Sequence, residues 1–182
     1  MNDNRSDISL WNAFKEGDRN AFDNLFRRYY PMLIQYGLKL SANNTVVEDC
    51  IQDLFIELWQ SKAGTQVQSV KAYLLKALKY KLFRQLKSVQ SVQLADGSPE
   101  NKFEISHDHF IITREDESDT AKKIIRAINQ LPGRQKEIVY LKIYQGLGYE
   151  EISEVMNINY QAARNLFYQS VKSLRQTLGS RQ

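Results

Sequence analysis

The pattern of apolar and polar residues is clearest near the C-terminal end. There it predicts a helix, a tight turn and a longer helix over residues 148–178. Ile152 and Val155 lie on one face of the first helix at helical spacing. Asn157 ends that helix, since Asn tolerates the left-handed backbone that such turns require, and Asn159 is placed to cap the second helix. The segment is therefore predicted to be a helix-turn-helix.

The second helix of this pair leaves a set of polar and aromatic side chains facing outward. They are Tyr160, Gln161, Arg164, Asn165, Tyr168 and Lys172. In helix-turn-helix proteins such residues enter the major groove of DNA, where Arg pairs with guanine and Asn or Gln pairs with adenine. No acidic residue follows Glu154, so this surface suits phosphate. An ordinary helical hairpin with a solvated face has the same pattern, which alone leaves both interpretations open.

Two further helices are predicted in the first forty residues. Trp11 and Phe14 mark the apolar face of one helix, which ends at Gly17. Asp18 opens the next helix, and the helical spacing of apolar residues continues for two more turns beyond Pro31. Pro31 either kinks one helix or begins a new one.

Residues 45–59 form the second-clearest pattern and predict an amphipathic helix. Its apolar face consists of Ile51, Leu54, Phe55, Leu58 and Trp59. Its other side consists of Glu48, Asp49, Gln52, Asp53 and Glu57. A polar face of this kind is usually only solvated, but its charge and the aromatic residues at its edge also suit the docking of a basic protein partner.

A long basic helix is predicted to begin near Val70. Its core stripe repeats every fourth residue and consists of Val70, Leu74, Leu78, Leu82 and Leu86. No Asp or Glu occurs from Ser61 to Ala95, whereas seven Lys and Arg residues do. Tyr73, Tyr80 and Phe83 interleave with these charges, and they either stack on the bases of single-stranded nucleic acid or belong to the core.

The chain is predicted to be all-α, with two small helical domains joined by an acidic linker. Residues 1–90 form the first domain, and residues 119–182 form the second, in which four helices close on one core. The linker, residues 91–118, is rich in Asp and Glu. It also contains His107 and His109, which we expect to be solvated, because metal sites usually gather ligands from more than one rigid segment.

Composition narrows the functional classes. The net charge of +4 indicates nucleic acid only mildly, and the uneven distribution of charge indicates it more strongly. No apolar run is long enough to cross a bilayer and the N-terminus has no secretory signal pattern, so we expect a cytoplasmic protein without membrane insertion. Cys50 is the single cysteine and is expected to be a buried or half-buried helix residue. No cofactor and no metal site are predicted.

Six phrases of the sequence, taken in this order, resemble the extracytoplasmic-function group of bacterial sigma factors, which are part of the sigma-70 family. In the first domain the phrases are FKEGDRNAF at 14–22, DCIQDLFIELW at 49–59 and VKAYL at 70–74. In the second domain they are LPGRQ at 131–135, GLGYEEI at 146–152 and LR at 174–175. Each phrase is unspecific alone, but their joint occurrence in this order is specific. The resemblance covers most of the chain outside the linker.

The resemblance implies a transcription initiation factor that has no catalytic activity of its own and directs core RNA polymerase to promoters. It implies that the first domain docks on the clamp helices of the polymerase, with the polymerase flap as a further contact. The docking residues would be Asp49, Gln52, Asp53, Phe55 and Glu57. The acidic linker would thread through the polymerase toward its active-site cleft, where carboxylates imitate nucleic acid.

The resemblance also implies two promoter contacts. The loop over residues 61–69 and the basic helix would open the minus-ten element and capture a flipped base, whose extrusion costs a few kcal/mol of stacking and pairing. The residues concerned are Lys62, Gln66, Lys71, Tyr73, Lys76, Lys79 and Tyr80. The helix-turn-helix would bind the minus-thirty-five element as duplex. The residues concerned are Tyr160, Gln161, Arg164, Asn165, Tyr168 and Lys172.

The family resemblance also implies a regulatory partner, and the sequence patterns leave two other classes of protein to compare. Sigma factors of this group are commonly held inactive by an anti-sigma factor, often membrane-bound, which the resemblance implies here too. The alternative is a conventional dimeric helix-turn-helix transcriptional regulator, which predicts a palindromic site and a stable dimer. A small hydrolase using His107 and His109 would lack both a positioned nucleophile and a Gly-rich phosphate loop.

Overall fold

The structure is a computed structural model, and it describes residues 3–61, 66–90, 103 and 115–179. These residues form eight α-helices and one π-helical turn, with no strand among them. The predicted all-α class is confirmed. The chain divides into two compact units, of which the first contains the four N-terminal helices and the second contains the π-helical turn and most of the other four. Each unit is described by itself.

Four long helices build the first unit. They are α1 (Asp3–Lys15), α2 (Arg19–Leu40), α3 (Asn44–Ser61) and α4 (Val70–Gln90). α2 is in contact with each of the other three helices, and α3 also packs on α4. The predicted stripe of α4 is confirmed for Val70, Leu74, Leu78 and Leu82, which are fully buried, whereas Leu86 is half-buried. Pro31 lies inside α2, so it does not begin a new helix.

Side-chain caps begin three of these helices where the sequence changes from loop to helix. Asp18 Oδ1 accepts hydrogen bonds from the backbone N–H groups of Asn20 (2.8 Å) and Ala21 (3.2 Å), which confirms its predicted role. Asn43 Oδ1 accepts from the N–H of the residue three positions later (3.2 Å), at the start of α3. Ser69 Oγ does the same for α4 (3.2 Å). These bonds satisfy N–H groups that would otherwise have no partner within the helix.

A buried carboxylate joins α1 to α2. Asp7 is buried, and its Oδ2 accepts a hydrogen bond from the hydroxyl of Tyr29 at 2.5 Å. Its Oδ1 pairs with the guanidinium of Arg28. Removing a carboxylate from water is costly unless it is hydrogen-bonded and paired, and these two contacts supply both compensations. The arrangement fixes the packing of α1 against the long second helix.

The second unit contains most of the four remaining helices. They are α5 (Glu115–Asn129), α6 (Gly133–Val139), α7 (Tyr149–Met156) and α8 (Tyr160–Gly179), with a π-helical turn, Tyr140–Tyr144, directly after α6. α8 packs on α5 and α6. α5 begins at Glu115, four residues before the predicted domain start at 119. The helix therefore includes the last part of the predicted linker.

The π-helical turn widens the backbone before the helix-turn-helix. The N–H of Gln145 bonds to the carbonyl of Tyr140 at 3.0 Å, and Gly146 takes a φ of 68° to end the turn. The Gln145 side chain donates to the hydroxyl of Tyr140 at 2.9 Å, and burial raises the pKa of Tyr140 well above its usual range. Phe103, from the predicted linker, is buried with its ring 5.6 Å from that of Tyr140. Ile143, within the π-helical turn, is exposed.

Candidate polymerase and nucleic-acid interfaces

The turn between α7 and α8 has the backbone that the sequence predicts. Asn157 adopts a φ of 51°, in the left-handed region, and is the only such non-glycine residue in the described ranges. Asn159 Oδ1 accepts a hydrogen bond from the N–H of Ala162 at 2.7 Å and caps α8. Glu151 reaches back to the N–H of Gly148 at 2.7 Å and fixes the start of α7. Both predicted roles, the turn at Asn157 and the cap at Asn159, are confirmed.

Tyr149 links the two helices of this pair. Its ring lies 5.9 Å from that of Tyr160 and 6.2 Å from that of Phe167, both on α8. The ammonium of Lys142 lies 4.6 Å from the same ring, and it also donates to the carbonyl of Leu147 at 3.0 Å. Edge-on aromatic pairs and a cation over a ring each stabilise such a contact modestly. Together they hold the N-terminal end of α8, which is the part predicted to meet DNA.

The structure brings all six predicted minus-thirty-five residues to the solvent-facing side of α8. Tyr160, Gln161, Arg164, Asn165, Tyr168 and Lys172 are all exposed. Tyr168 is 70% exposed, which is unusual for an aromatic side chain that has no external partner. Ala163, on the opposite side of the helix, is fully buried. α8 therefore presents a continuous polar and aromatic surface without an acidic residue.

The acidic face of α3 is also on the surface. Asp49, Gln52 and Asp53 are exposed, as predicted for a docking face. Phe55 departs from the prediction, because it is only 4% exposed and its ring packs 4.9 Å from that of Phe26. The apolar pattern puts Phe55 on the face that α2 covers, and only the family resemblance implied a place for it on the docking surface. Phe55 therefore supports the helix from within and does not belong to its outer surface.

Ile56 is a surface residue of α3 that the sequence analysis missed. It is 52% exposed and lies seven, four and three residues after Asp49, Gln52 and Asp53, so all four share one helix face. The available signal was that helical spacing, which groups Ile56 with the polar residues and not with the apolar stripe. We call this set (Asp49, Gln52, Asp53 and Ile56) the α3 surface.

Glu57 lies beside the α3 surface and turns toward α4. Its carboxylate pairs with the ammonium of Lys81 at 2.6 Å. Lys81 is the more enclosed partner, since 18% of its side chain is exposed against 66% for Glu57. An ion pair with an exposed member contributes little to stability, of the order of 1 kcal/mol or less. Its consequence is positional, because it orients the Lys81 ammonium at the boundary between α3 and α4.

An open groove lies between the C-terminal half of α3 and the middle of α4. Its volume is about 520 Å³. Its walls are formed by Leu54, Glu57, Leu58, Gln60, Ser61, Tyr73, Ala77, Tyr80 and Lys81. The floor is apolar and the rim carries hydroxyl, amide and charged groups, a combination that suits a planar aromatic ligand with polar edges. Ser61, in the groove wall, is the first residue of the loop predicted to take part in strand capture.

The residues predicted to contact the minus-ten element differ in exposure. Tyr80 is 69% exposed, and Gln66 and Lys76 are exposed too. Lys79 is half-buried with its ammonium 5.5 Å from the ring of Phe83. Lys71 is half-buried, and Lys62 lies outside the described residues. The open choice between core and surface is therefore resolved for Tyr80, which is a surface aromatic.

Tyr73 serves the core and the groove at once. Its ring lies 5.2 Å from that of Trp11 in an edge-on arrangement, and it also lines the groove. Burial, followed by the nearby Glu57 carboxylate, raises the pKa of Tyr73. Its hydroxyl therefore stays protonated at neutral pH and can donate a hydrogen bond into the groove.

Metal-binding side chains do not cluster in the part of the chain that the structure describes. Among residues 3–61, 66–90, 103 and 115–179, no group of three or more His, Cys, Asp and Glu side chains is placed to hold a metal ion. His107 and His109 lie outside these ranges. Within the same ranges, no helix combines the length and apolarity needed to span a bilayer. Cys50 is buried with its Sγ 3.3 Å from Gln85 Oε1, as expected for a structural thiol.

Comparison with known proteins identifies both units. The family described as Sigma-70 region 2 matches residues 25–91, and the family described as Sigma-70, region 4 matches residues 121–174. The chain belongs to the sigma-70 family. It is 24% identical over 168 residues to the RNA polymerase sigma factor CarQ of Myxococcus xanthus, and the alignment covers 91% of this chain and 94% of that protein.

Two solved structures share the fold of this sigma factor. CnrH in complex with the cytosolic domain of CnrY superposes with a TM-score of 0.63 at 18% identity, covering 97% of this chain and 99% of that one. RpoE of Bartonella quintana, in complex with the anti-sigma factor NepR, superposes with a TM-score of 0.62 at 17% identity, covering 88% and 98%.

The family match also decides between the functions considered from sequence. The prediction of an extracytoplasmic-function sigma factor is confirmed, with regions 2 and 4 in the predicted order. A conventional regulator would share only its helix-turn-helix with this family, whereas residues 25–91 match sigma region 2 as well. The dimeric-regulator alternative is therefore dropped. The family match does not assign roles to individual residues.

Proposed function

We propose that this sigma factor docks on core RNA polymerase through the α3 surface. The observation that carries the proposal is the grouping of Asp49, Gln52, Asp53 and Ile56 on one exposed helix face. Exposed carboxylates suit a basic partner and accelerate its encounter, while the exposed Ile56 on the same face supplies apolar area that is stabilised only when a partner covers it. Phe55 supports this face from beneath through its contact with Phe26. The partner surface expected from the family is formed by the clamp helices of the polymerase, with the flap as a further contact.

For the minus-ten element we propose that the groove between α3 and α4 receives an unstacked base. The apolar floor and the polar rim, including the Tyr73 hydroxyl and the Lys81 ammonium, suit a base that has left the stack. Tyr80, exposed at the rim, offers a ring for stacking, and Lys76 offers a cation for the backbone. Lys62, Gln66, Lys71 and Lys79 would extend the cationic and polar track on either side.

For the minus-thirty-five element we propose that the N-terminal half of α8 enters the major groove of duplex DNA. Tyr160, Gln161, Arg164 and Asn165 would meet base edges, and Tyr168 and Lys172 would meet the phosphate backbone. The free protein is expected to bind duplex promoter weakly, because each of its two units contributes only part of the contact with DNA. Polymerase binding supplies the spacing that lets both contribute.

Regulation and location complete the proposal. Both similar solved structures are complexes, of CnrH with the cytosolic domain of CnrY and of the sigma factor RpoE with the anti-sigma factor NepR. We propose a partner of the same kind for this chain, membrane-bound or free, that covers the polymerase-facing surfaces. The protein would act in the cytoplasm, where polymerase and promoter are. It would contribute no catalysis, which belongs to the polymerase.

The first test is capture of bacterial core RNA polymerase by the full-length protein and by the double variant Asp49→Lys, Asp53→Lys. We expect the wild type to retain the polymerase and the variant to bind it at least tenfold more weakly, because two attractive contacts become repulsive. The matched control is Glu16→Lys, Asp23→Lys, which makes the same charge change at exposed positions that do not belong to α3. Circular dichroism of both variants checks that the helices persist.

Two results would contradict the docking proposal. One is equal loss of polymerase by both double variants, since net charge rather than the α3 surface would then be responsible. The other is full binding by the Asp49, Asp53 variant. Ile56→Ala gives an independent check, because it removes the apolar side chain of this surface without changing charge and should weaken capture by several-fold at any salt concentration.

A further inference from the structure

The recognition surface of α8 contains two amides that are already joined. Gln161 Nε2 donates a hydrogen bond to Asn165 Oδ1 at 3.0 Å, one helical turn further along. Both side chains are exposed, and both lie in the first two turns after the Asn159 cap. Pairs spaced four residues apart on a helix face each other, so the bond is a consequence of the spacing. The two side chains therefore present one surface to a ligand rather than two independent ones.

This internal bond orients what the couple offers to DNA. With Gln161 donating one N–H to Asn165, the Gln161 carbonyl oxygen still accepts and the Asn165 NH₂ still donates, and the second N–H of Gln161 and the second lone pair of the Asn165 oxygen also remain. Rotating both amides by half a turn reverses the bond and exchanges these roles. In either arrangement one residue supplies an outward acceptor and the other supplies an outward donor.

One base matches an acceptor beside a donor. Adenine shows a donor at N6 and an acceptor at N7 along its major-groove edge, whereas guanine shows two acceptors, thymine one acceptor and a methyl group, and cytosine one donor. Guanine would place its O6 against the acceptor of the couple. We propose that the hydrogen-bonded Gln161–Asn165 couple acts as one unit that selects an adenine in the duplex promoter element. This inference rests on the proposed function, because it requires α8 to lie in the major groove.

The neighbouring Arg and Lys side chains cannot recognise adenine in this way. Arg164 and Lys172 carry only donors, so neither can accept from adenine N6. The Arg164 guanidinium lies 5.9 Å from the ring of Tyr160, which holds it beside the couple and leaves its donors for the acceptors of guanine or phosphate. The discrimination between adenine and guanine at the couple's own position must therefore come from the amides.

The experiment uses holoenzyme assembled from the full chain and bacterial core RNA polymerase. Double-stranded DNA randomised across both promoter elements is selected by the wild type, Gln161→Ala, Asn165→Ala and the double variant, and the recovered DNA is sequenced. Gln176→Ala is the control, an exposed Gln on the same helix almost three turns beyond Asn165. We expect one upstream position to be enriched in adenine by the wild type and the control. Either single variant should lose about tenfold of that preference, since a good two-bond base contact carries roughly 5- to 100-fold discrimination.

If the two amides act as one unit, the double variant gives a sharper test than the single variants. Because breaking the couple frees the remaining amide to rotate, the double variant should lose little more adenine preference than either single variant. Independent, multiplicative losses would overturn the inference, and so would an adenine preference that survives the double variant. If the wild type selects a sequence whose upstream positions do not respond to either residue, the inference fails while the proposed function stands. If polymerase is bound but no upstream sequence is selected, the proposed minus-thirty-five function fails and the inference fails with it.

Discussion

The close crossing of α2 and α3 depends on one glycine. A Cβ built on Gly37 would lie 2.4 Å from Cγ1 of Val47, far inside the contact distance of two carbon atoms. Val47 is fully buried near the start of α3, and a β-branched side chain in a helix has essentially one χ1 rotamer. Neither residue can move aside, so Gly37→Ala must push the two helices apart.

The magnitude follows from two opposing effects. Replacing Gly by Ala inside a helix is worth about 1 kcal/mol in favour of folding when space is available. Overpacking a buried contact costs roughly 1–3 kcal/mol, and the 2.4 Å approach belongs at the upper end. We therefore expect Gly37→Ala to lower the free energy of unfolding by about 2 kcal/mol. In a Val47→Ala background the obstructing methyl group is gone, and the same change should raise the free energy of unfolding by up to about 1 kcal/mol.

Urea unfolding followed by tryptophan fluorescence measures this directly. The chain has two tryptophans, Trp11 on α1 and Trp59 on α3, so the signal reports the first unit alone. The four proteins of the double-mutant cycle (wild type, Gly37→Ala, Val47→Ala and both) isolate the contact, whose coupling energy should reach about 2–3 kcal/mol.

The sign reversal between backgrounds is the decisive feature of this cycle. Stabilisation by Gly37→Ala in the wild-type background would show that the helices do not cross as closely as described. Destabilisation of equal size in both backgrounds would show that the obstruction lies elsewhere than Val47. In either case the position of α3, and with it the position of the α3 surface, would need revision.

Three further predictions concern caps, turns and a buried charge. Asn159→Ala removes the cap bond to Ala162 and should cost about 1 kcal/mol in thermal unfolding of the second unit, whereas Asn159→Ser should retain most of it. Asn157→Ala should destabilise by about 1 kcal/mol because of the φ of 51°, and Asn157→Gly should not, as chemical denaturation followed by circular dichroism will show. Burial lowers the pKa of Lys39 from 10.5 to about 8, so above pH 8 the unfolded chain retains a proton that the folded chain releases. Stability should therefore rise by about 1 kcal/mol from pH 8 to pH 9, and Lys39→Met should abolish the rise in tryptophan-monitored unfolding. Above pH 9 the buried Cys50 thiol opposes the trend, because burial raises its pKa and the unfolded thiol ionises first.

Much of the fold could be predicted because local chemistry determined it. The cap at Asp18, the left-handed turn at Asn157 and the cap at Asn159 each depend on one residue and its immediate neighbours, and the structure has all three. Helical periodicity placed the α4 stripe correctly for the same reason. The continuity of α2 through Pro31 was not determined locally, since the missing N–H can be tolerated where packing on three other helices holds the backbone.

The candidate site was less predictable at the edges of its helices. Phe55 and Ile56 are adjacent, and helical spacing groups Phe55 with the apolar face and Ile56 with the polar face, whereas the family resemblance implied that Phe55 belongs to the docking surface. Which of them is covered depends on where α2 crosses, and Phe22 and Phe26 of α2 cover Phe55. The groove between α3 and α4 could not be predicted from the sequence either, because it depends on the distance between the two packed helices. Sequence patterns indicate faces, whereas tertiary packing decides which side chains a face exposes.

The placement of two proposed interfaces on α3 has a mechanical consequence. Asp49, at one end of the α3 surface, and Ser61, in the groove wall, are twelve residues apart, which corresponds to about 18 Å along a rigid helix. Glu57 stands between them and orients Lys81 across the groove at 2.6 Å. A partner that fixes the α3 surface therefore fixes the groove as well, with no conformational change needed to transmit position. Strand capture can thus be aligned with the polymerase by docking alone, and a substitution that tilts α3, such as Gly37→Ala, should weaken both contacts together while leaving the α8 surface unaffected.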